Sequence, residues 1–242
     1  MIKVLFVLLS LYPFLLLAQD SDSPFSFGLQ YKPIITAAYF NAGDEDVIWD
    51  NNEASLSPKF GQSFGMILRY QINNTFSLET GLNLVNRKYE LSITNRIISL
   101  QDQANVNLRS YDWPIQILSY VRVAENYYLN ASFGNAITIF PSDIISYGKK
   151  YDYFLVSTAR RRKIQSALIA NLGVEYRTKN KGIYYIGASL HRSWKTSARS
   201  FPEYDDGSNK FNTQAPTGES SKFFDINGNY FTIDLRYFFN GN

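Results

Sequence analysis

Near its C-terminal end the chain reads Gly228-Asn229-Tyr230-Phe231-Thr232-Ile233-Asp234-Leu235-Arg236-Tyr237-Phe238-Phe239. Every second residue from Phe231 to Phe239 is apolar or aromatic, whereas the charged residues Asp234 and Arg236 occupy the other phase. Successive side chains of a β-strand point to opposite faces. A strand with one apolar face and one charge-bearing face is typical of a wall between lipid and a polar lumen. The stretch therefore predicts a strand of an outer membrane β-barrel.

The other end of the chain has the pattern of a secretion signal. Lys3 precedes an apolar run, residues 4–17, of about 14 residues, whereas a helix that spans a membrane needs roughly 20. We expect residues 1–18 to be a signal peptide, cleaved between Ala18 and Gln19, and residues 19–242 to form a single barrel domain. An uncleaved anchor is the alternative interpretation.

Composition narrows the class of protein. The chain has 24 Lys and Arg against 21 Asp and Glu, so no strong field favours nucleic acid as a partner. It has no cysteine, which excludes disulfides, thiolate metal sites and thiol catalysis. The 18 Phe and 18 Tyr suit a membrane barrel, which places aromatic rings on its outer face and in two interfacial girdles.

Eight segments alternate in the same way, and short and long connections between them also alternate. In outer membrane barrels short turns face the periplasm and long loops face outside. The sequence thus predicts an all-β fold, an eight-stranded antiparallel up-and-down transmembrane β-barrel with both termini in the periplasm. A soluble β-sandwich gives no reason to sort its connections by length. The segments are residues 25–40, 60–72, 75–89, 107–123, 127–140, 164–177, 183–194 and 228–239.

The fourth segment is the least regular. We expect Trp113, Ile115, Ile117 and Val121 to point outward. Pro114 cannot donate a hydrogen bond to a neighbouring strand, so it predicts a β-bulge or the start of a strand there.

The chain resembles the small outer membrane β-barrel proteins of Bacteroidetes-type bacteria, often called PorT-like. The resemblance rests on Leu17-Ala18-Gln19, on the hairpin of residues 69–82 and on Tyr111-Asp112-Trp113-Pro114, where the family pattern often has Glu in place of Asp112. It implies an eight-stranded outer membrane barrel. It does not imply one activity, although the best-known relative serves a protein secretion system.

The inward phase of the predicted strands carries charge. A buried charge must be paired, and a barrel of eight strands is about narrow enough to be filled by side chains. We expect an ion-pair and hydrogen-bond network in the lumen and favour this packing role over a narrow polar conduit. Its members are Arg69, Glu79, Arg87, Arg122, Glu175, Arg177, Asp234 and Arg236.

A basic run and two acidic loops are the other charged features. The run, Arg160-Arg161-Arg162-Lys163, is either a solvated rim or a contact for lipopolysaccharide phosphates. The acidic loops match no calcium-binding spacing and are interpreted as solvated charge, with no metal and no cofactor expected. They contain Asp44, Glu45, Asp46, Asp50 and Glu53, and Glu203, Asp205, Asp206 and Glu219.

His191 is the only histidine, and by strand direction it points inward near the outer rim. A structural role is the first interpretation, and a carboxylate or hydroxyl within about 3 Å of this ring would favour a rim enzyme.

We therefore predict a monomeric outer membrane barrel that is not an enzyme and that is either structural or an interaction platform acting through its loops. The alternatives are an accessory subunit of a protein secretion or uptake machine, a narrow channel and a lipid-modifying rim enzyme. Expected partners are outer membrane lipid and lipopolysaccharide, the barrel-assembly machinery during insertion and an envelope protein, but not nucleic acid.

Overall fold

The computed structural model describes residues 24–36, 45–49, 52–95, 100–150, 154–178, 181–204 and 223–239, so the signal peptide predicted for residues 1–18 lies outside the described residues. Within these ranges no helix is long and apolar enough to cross a membrane. The described strands are β1 (Phe25–Ile35), β2 (Glu45–Trp49), β3 (Asn52–Gln71), β4 (Phe76–Asn95), β5 (Leu100–Arg122), β6 (Tyr127–Ile139), β7 (Ile144–Tyr147), β8 (Phe154–Arg160), β9 (Ile164–Arg177), β10 (Ile183–Ser193), β11 (Thr196–Tyr204), β12 (Phe224–Asn227) and β13 (Tyr230–Phe238).

Eight of these strands close into an antiparallel ring in the order β1-β13-β10-β9-β6-β5-β4-β3. The ring closes because β1 pairs on both sides: Gly28 lies opposite Phe238 of β13 and opposite Ile67 of β3. Each of the eight predicted segments contains part of one ring strand. The prediction of an all-β, antiparallel fold is therefore confirmed.

The two faces of the ring differ as the alternation predicted. Inward side chains are buried and include the charged residues of the ring together with some apolar ones, whereas outward side chains are mainly apolar and exposed, which suits a wall that faces lipid. The largest exposed apolar side chains on this face include Leu29, Phe64, Leu82, Ile115, Ile117, Phe133, Leu172, Ile186 and Leu235. Trp113, Ile115, Ile117 and Val121 of β5 all lie on it, as expected.

Short turns join β3 to β4, β5 to β6 and β9 to β10, and we call this edge of the ring the short-turn end. In the first turn the Asn73 side-chain oxygen accepts hydrogen bonds from the backbone N–H groups of Thr75 and Phe76, both at 2.8 Å. Gly182 ends the third turn with a φ of 84°, a left-handed conformation that glycine adopts at no steric cost.

Pro114 does not have the predicted effect on β5. It lies inside the strand, and the register of β4 against β5 is the same on either side of it. Instead the Pro114 carbonyl accepts a hydrogen bond from the Thr80 hydroxyl at 2.8 Å. The bulge lies in β3, where the pairing with β4 shifts between Lys59 and Gln62.

Three ring strands, β3, β4 and β5, extend well past their predicted boundaries. The extensions were not predicted because the pattern of polarity inverts partway along these strands. In β5 the outward residues change from Trp113 and Tyr111 to Arg109, Asn107 and Asn105. The inward residues change in the opposite sense, from Asp112 and Ser110 to Leu108, Val106 and Ala104. A sheet that leaves lipid for water needs a polar outer face, and its inner face can then form an apolar core.

That core belongs to a second structural unit, which we call the head. The head consists of β2, the parts of β3, β4 and β5 beyond the inversion, and a four-stranded sheet in the order β12-β11-β8-β7. Polar loops were expected at these positions, and that expectation is wrong for the described parts of the chain. The head core contains Ala54, Leu56, Leu91, Ile93, Ala104, Val106, Leu108, Phe140, Phe154, Val156, Ala198, Phe224 and Ile226.

Candidate functional site

The lumen nearest the short-turn end is crossed by ion pairs. Arg69 of β3 lies 3.1 Å from the Glu79 carboxylate and 2.7 Å from the Glu175 carboxylate, which belongs to β9 on another part of the ring. Glu175 also accepts from Arg177 at 3.0 Å and from the Asn130 amide at 2.8 Å. One arginine therefore joins two carboxylates on separate walls.

A second group of charges continues this network toward the head. Arg236 places one guanidinium nitrogen 2.6 Å from Glu79 and the other 2.7 Å from Asp234. Asp234 is also 2.9 Å from the Lys32 ammonium group. Sequence reasoning missed Lys32, although its position in the inward phase of β1 was available as a signal.

Two residues expected in this network lie elsewhere. Arg87 is buried, but it donates a hydrogen bond to the Asn227 carbonyl at 3.3 Å, at the junction with the head. Arg122 is exposed and donates to the backbone carbonyls of Ala124 and Glu125 at 3.2 and 2.8 Å. The expectation that Arg122 faces the lumen is corrected, because β5 reaches its turn there and the guanidinium bonds the turn.

Aromatic rings pack against the guanidinium groups of this network. The Arg69 guanidinium lies 3.9 Å from the centre of the buried Phe238 ring, and that of Arg177 lies 4.0 Å from the centre of the Tyr128 ring. The Arg236 guanidinium lies 4.6 Å from the centre of the Tyr185 ring. Such cation–π contacts add to the pairing of the guanidinium groups. Charged and aromatic side chains thus pack against each other in the described part of the lumen, and the preference for a packing role over a conduit stays a prediction.

A small cluster lies where the ring meets the head. His191 of β10 points its Nε2 at Asp112 of β5 over 3.3 Å, and its Nδ1 lies 3.1 Å from the Gly228 carbonyl oxygen. Tyr230 stacks on the His191 ring at 4.3 Å and donates its hydroxyl to Asp112 at 2.9 Å. Both imidazole nitrogens therefore lie near oxygen atoms, Nδ1 at hydrogen-bond distance from a carbonyl and Nε2 near a carboxylate.

The space beside this cluster is small. The cavity lined by Asp112, His191 and Tyr230 has a volume of about 20 Å³, enough for about one water molecule. Both members of the acid–histidine pair are buried, with His191 6% and Asp112 3% exposed. Together with Tyr230, the pair joins three ring strands and the β12–β13 junction. Sequence reasoning placed His191 inward but did not pair it with Asp112.

The basic run lies between β8 and β9, at the head end of the ring. Arg160 has partners within the chain. It lies 3.5 Å from Asp143 and donates hydrogen bonds to the Phe140 and Pro141 carbonyls at 2.8 and 2.6 Å. The other members of the run, Arg161, Arg162 and Lys163, are exposed.

The head carries a polar cleft of about 330 Å³. Asp102 lies at its base, 2% exposed, and accepts hydrogen bonds from the backbone N–H groups of Gln103 and Lys150 at 2.7 and 3.0 Å. Hydroxyl, amide and ammonium groups therefore converge on one concave surface. The other lining residues are Ser92, Ile93, Thr94, Gln101 and Lys149.

Of the acidic-loop residues, Asp44, Asp50, Asp205, Asp206 and Glu219 lie outside the described residues, as do the side chains of Glu45 and Glu203. Asp46 is exposed and Glu53 is half-buried.

No protein-family model matches the chain, and no curated protein matches it. Among solved structures the chain is similar to the outer membrane protein OprG from Pseudomonas aeruginosa, with 9% identity and a TM-score of 0.51 over 89% of this chain and 95% of that one. It also matches the outer membrane protease OmpT from Escherichia coli, with 11% identity and a TM-score of 0.47 over 91% of this chain and 100% of that one. The chain has the outer membrane β-barrel fold.

One sequence-based expectation has to be corrected. We expected a protein that is not an enzyme, but one of the similar structures is an outer membrane protease. The expectation that the protein is not an enzyme is therefore withdrawn, and no activity follows from this match. Identity this low shows the fold alone, and the finer resemblance to PorT-like proteins stays a prediction.

Proposed function

We propose that this protein resides in the outer membrane as an integral barrel and acts there as an interaction platform, with the ring as the anchor and the head as the binding module. The observation that carries the proposal is the head core. A ring needs no apolar core outside the lipid in order to be anchored, yet thirteen buried apolar residues pack there. Burial of that much apolar surface stabilises a defined shape instead of a set of mobile loops.

The polar cleft is the part of the head that suits contact with a partner. Its amide and hydroxyl groups can donate and accept hydrogen bonds, and Lys149 and Lys150 add positive charge. A concave surface with a few converging polar groups is the common form of a binding site. We propose that the partner is a polar molecule or an envelope protein. A subunit of a secretion or uptake machine belongs to the second class.

The orientation of the protein is tested with single cysteines, because the chain has none of its own. Asn105→Cys lies on the outer face of the head, and Glu125→Cys lies in a short turn. In intact cells a membrane-impermeant maleimide should label Asn105→Cys and leave Glu125→Cys unlabelled until the outer membrane is opened. The reverse pattern would invert the proposed orientation, and labelling of neither site would overturn surface exposure of the head.

The partner is sought by affinity capture of the full chain from native outer membranes in mild detergent, followed by mass spectrometry. A Gln103→Ala/Lys150→Ala variant of the cleft is compared with Lys181→Ala at the short-turn end. A stoichiometric partner that is lost only from the cleft variant supports the role as an interaction platform. Its identity shows whether it belongs to a secretion or uptake machine. Recovery of the barrel alone from all samples would contradict the proposal.

A further inference from the structure

The outward faces of the ring differ in charge between the two ends. At the short-turn end the last outward side chains are uncharged; they include Tyr70, Ile72, Val123, Tyr127, Tyr176, Tyr184 and Phe239. At the head end the outward side chains that follow the apolar band are cationic on several strands. They are Lys59 of β3, Lys88 of β4, Arg109 of β5 and Arg192 of β10, joined by Arg161, Arg162 and Lys163 before β9.

These cations lie directly beyond the edge of the apolar band. On β5, Arg109 is the next outward residue after Tyr111, which is 44% exposed. Lys163 directly precedes Ile164, the first residue of β9, which is 59% exposed. Lys59 and Lys88 lie opposite each other on β3 and β4. The cations therefore follow the edge of the band across neighbouring strands.

Tryptophan marks the same level. Trp113 is 49% exposed on β5, and Trp194 is 62% exposed just after β10. Tryptophan is enriched where hydrocarbon meets the polar headgroups, because its ring is apolar and its N–H is polar. Headgroup phosphates lie at that level, next to the cations.

Most of these cations have no anionic partner within the part of the chain that the structure describes. Lys59 is the exception, since it pairs with Glu90 at 2.9 Å. By contrast Arg160, in the same basic run as Arg161 and Arg162, is held by Asp143 and does not belong to the group. A row of exposed, unpaired cations beside a lipid boundary leaves its charge available to an external anion.

We infer that Lys88, Arg109, Arg161, Arg162, Lys163 and Arg192 form a belt that binds the phosphate groups of outer-leaflet glycolipid. Guanidinium groups bind phosphate oxygens in a bidentate manner, and ammonium groups add point charges. The last outward side chains at the short-turn end are uncharged and do not bind phosphate in this way, so the belt also fixes the depth of the barrel. The inference rests on the proposed orientation, which places the head end of the ring at the outer leaflet.

The test measures binding of purified full chain in detergent by native mass spectrometry. The probes are bis-phosphorylated lipid A and the same lipid after removal of its phosphates. The variants are Arg161→Gln/Arg162→Gln and Lys88→Gln/Arg109→Gln. Arg122→Gln/Lys181→Gln is the matched control, because it removes the same charge from exposed positions at the short-turn end, outside both the belt and the cleft.

We expect wild type and the control to retain the phosphorylated lipid equally, and each belt variant to bind it about tenfold more weakly or worse. The inference would be overturned if wild type retained the dephosphorylated lipid as well as the phosphorylated one, or if the control lost as much binding as the belt variants. Binding in detergent does not depend on orientation, so this result and the cysteine labelling of the head can fail independently.

Discussion

Arg236 donates a hydrogen bond to Glu79 at 2.6 Å although their strands, β13 and β4, are not neighbours in the ring. The bond therefore runs across the lumen and not along a ladder. Both residues are nearly inaccessible, with Glu79 1% and Arg236 4% exposed. A charge in such a place is tolerated only when it is paired, so each depends on the other.

Replacement of Glu79 by alanine should therefore destabilise the ring strongly. The change removes the carboxylate that the Arg69 and Arg236 guanidinium groups share. We expect the free energy of unfolding to fall by about 3–5 kcal/mol. Glu79→Gln should fall between alanine and wild type, because one acceptor oxygen remains. Urea unfolding in lipid vesicles measures both, and Glu125→Gln, exposed in a short turn, is the control. Equal stability of all variants would show that the pairing is dispensable.

The His191–Asp112 pair predicts energetic coupling between β10 and β5. His191→Phe keeps the stacking on Tyr230 but leaves the Asp112 carboxylate without its imidazole partner, at a cost of about 1–3 kcal/mol. Asp112→Asn in the same chain removes that unpaired charge, so the double variant should lose less than the sum of the two single variants. A double-mutant cycle in urea measures the coupling. Strict additivity would mean that the two residues do not interact.

Gly187 predicts a packing constraint inside the lumen. A Cβ at this position would meet the hydroxyl of Tyr185 and lie 2.6 Å from the Leu172 carbonyl oxygen. Tyr185 also donates to Asn171 at 2.6 Å, so it cannot move without loss of that bond. Gly187→Ala should cost about 1–3 kcal/mol, whereas Ala188→Val on the lipid face should cost little. The heat needed to unfold each variant on a detergent gel tests the contrast.

The sequence was sufficient for the ring because the outward phase of the ring strands is mainly apolar within the apolar band, whereas the charged residues there fall in the inward phase. Arg236 and Leu235 could be assigned to opposite faces without any structure. The same rule failed for the head. Val106 and Asn105 alternate as clearly as Asp112 and Trp113 do, but with the opposite sense, and the stretch before residue 107 was therefore assigned to a loop.

Contacts across the lumen could not be predicted for a different reason. Alternation shows that Asp112 and His191 both point inward, but not that they meet, because their strands do not pair. Arg122 shows the converse limit. It lies in the inward phase, yet it is close enough to the turn for its guanidinium to bond the Ala124 carbonyl instead.

Phe140 predicts that the head can be weakened without loss of the ring. Its ring is fully buried in the head core, so Phe140→Ala should remove about 3–5 kcal/mol from the local stability of the head. Hydrogen exchange should then accelerate in β8 and β11 and stay slow in β9. Ile145→Ala, at a position 60% exposed on the same sheet, is the control. Equal acceleration in β9 would show that ring and head unfold as one unit.

Glu90 predicts a pH dependence confined to the head. Hydrogen bonds from Lys149 and Lys59 hold the pKa of its carboxyl below the ordinary value. Because the pKa is lower in the folded state, the ionised Glu90 carboxylate stabilises the head above about pH 4.3, the ordinary pKa of Glu in an unfolded chain. This contribution is lost as the pH falls through the lowered pKa of the folded state. Because the two lysines are largely exposed, we expect about 0.2–1 kcal/mol per pair, reduced by salt.

Hydrogen exchange in β4 and β7 should therefore distinguish Glu90→Gln from wild type at pH 7 but not at pH 3. Lys149 follows β7, and its bond to Glu90 at 2.9 Å ties the second sheet of the head to the ring strand β4. The loss should thus reach both sheets. A difference that persists unchanged at pH 3 would mean that Glu90 acts through packing and not through its charge.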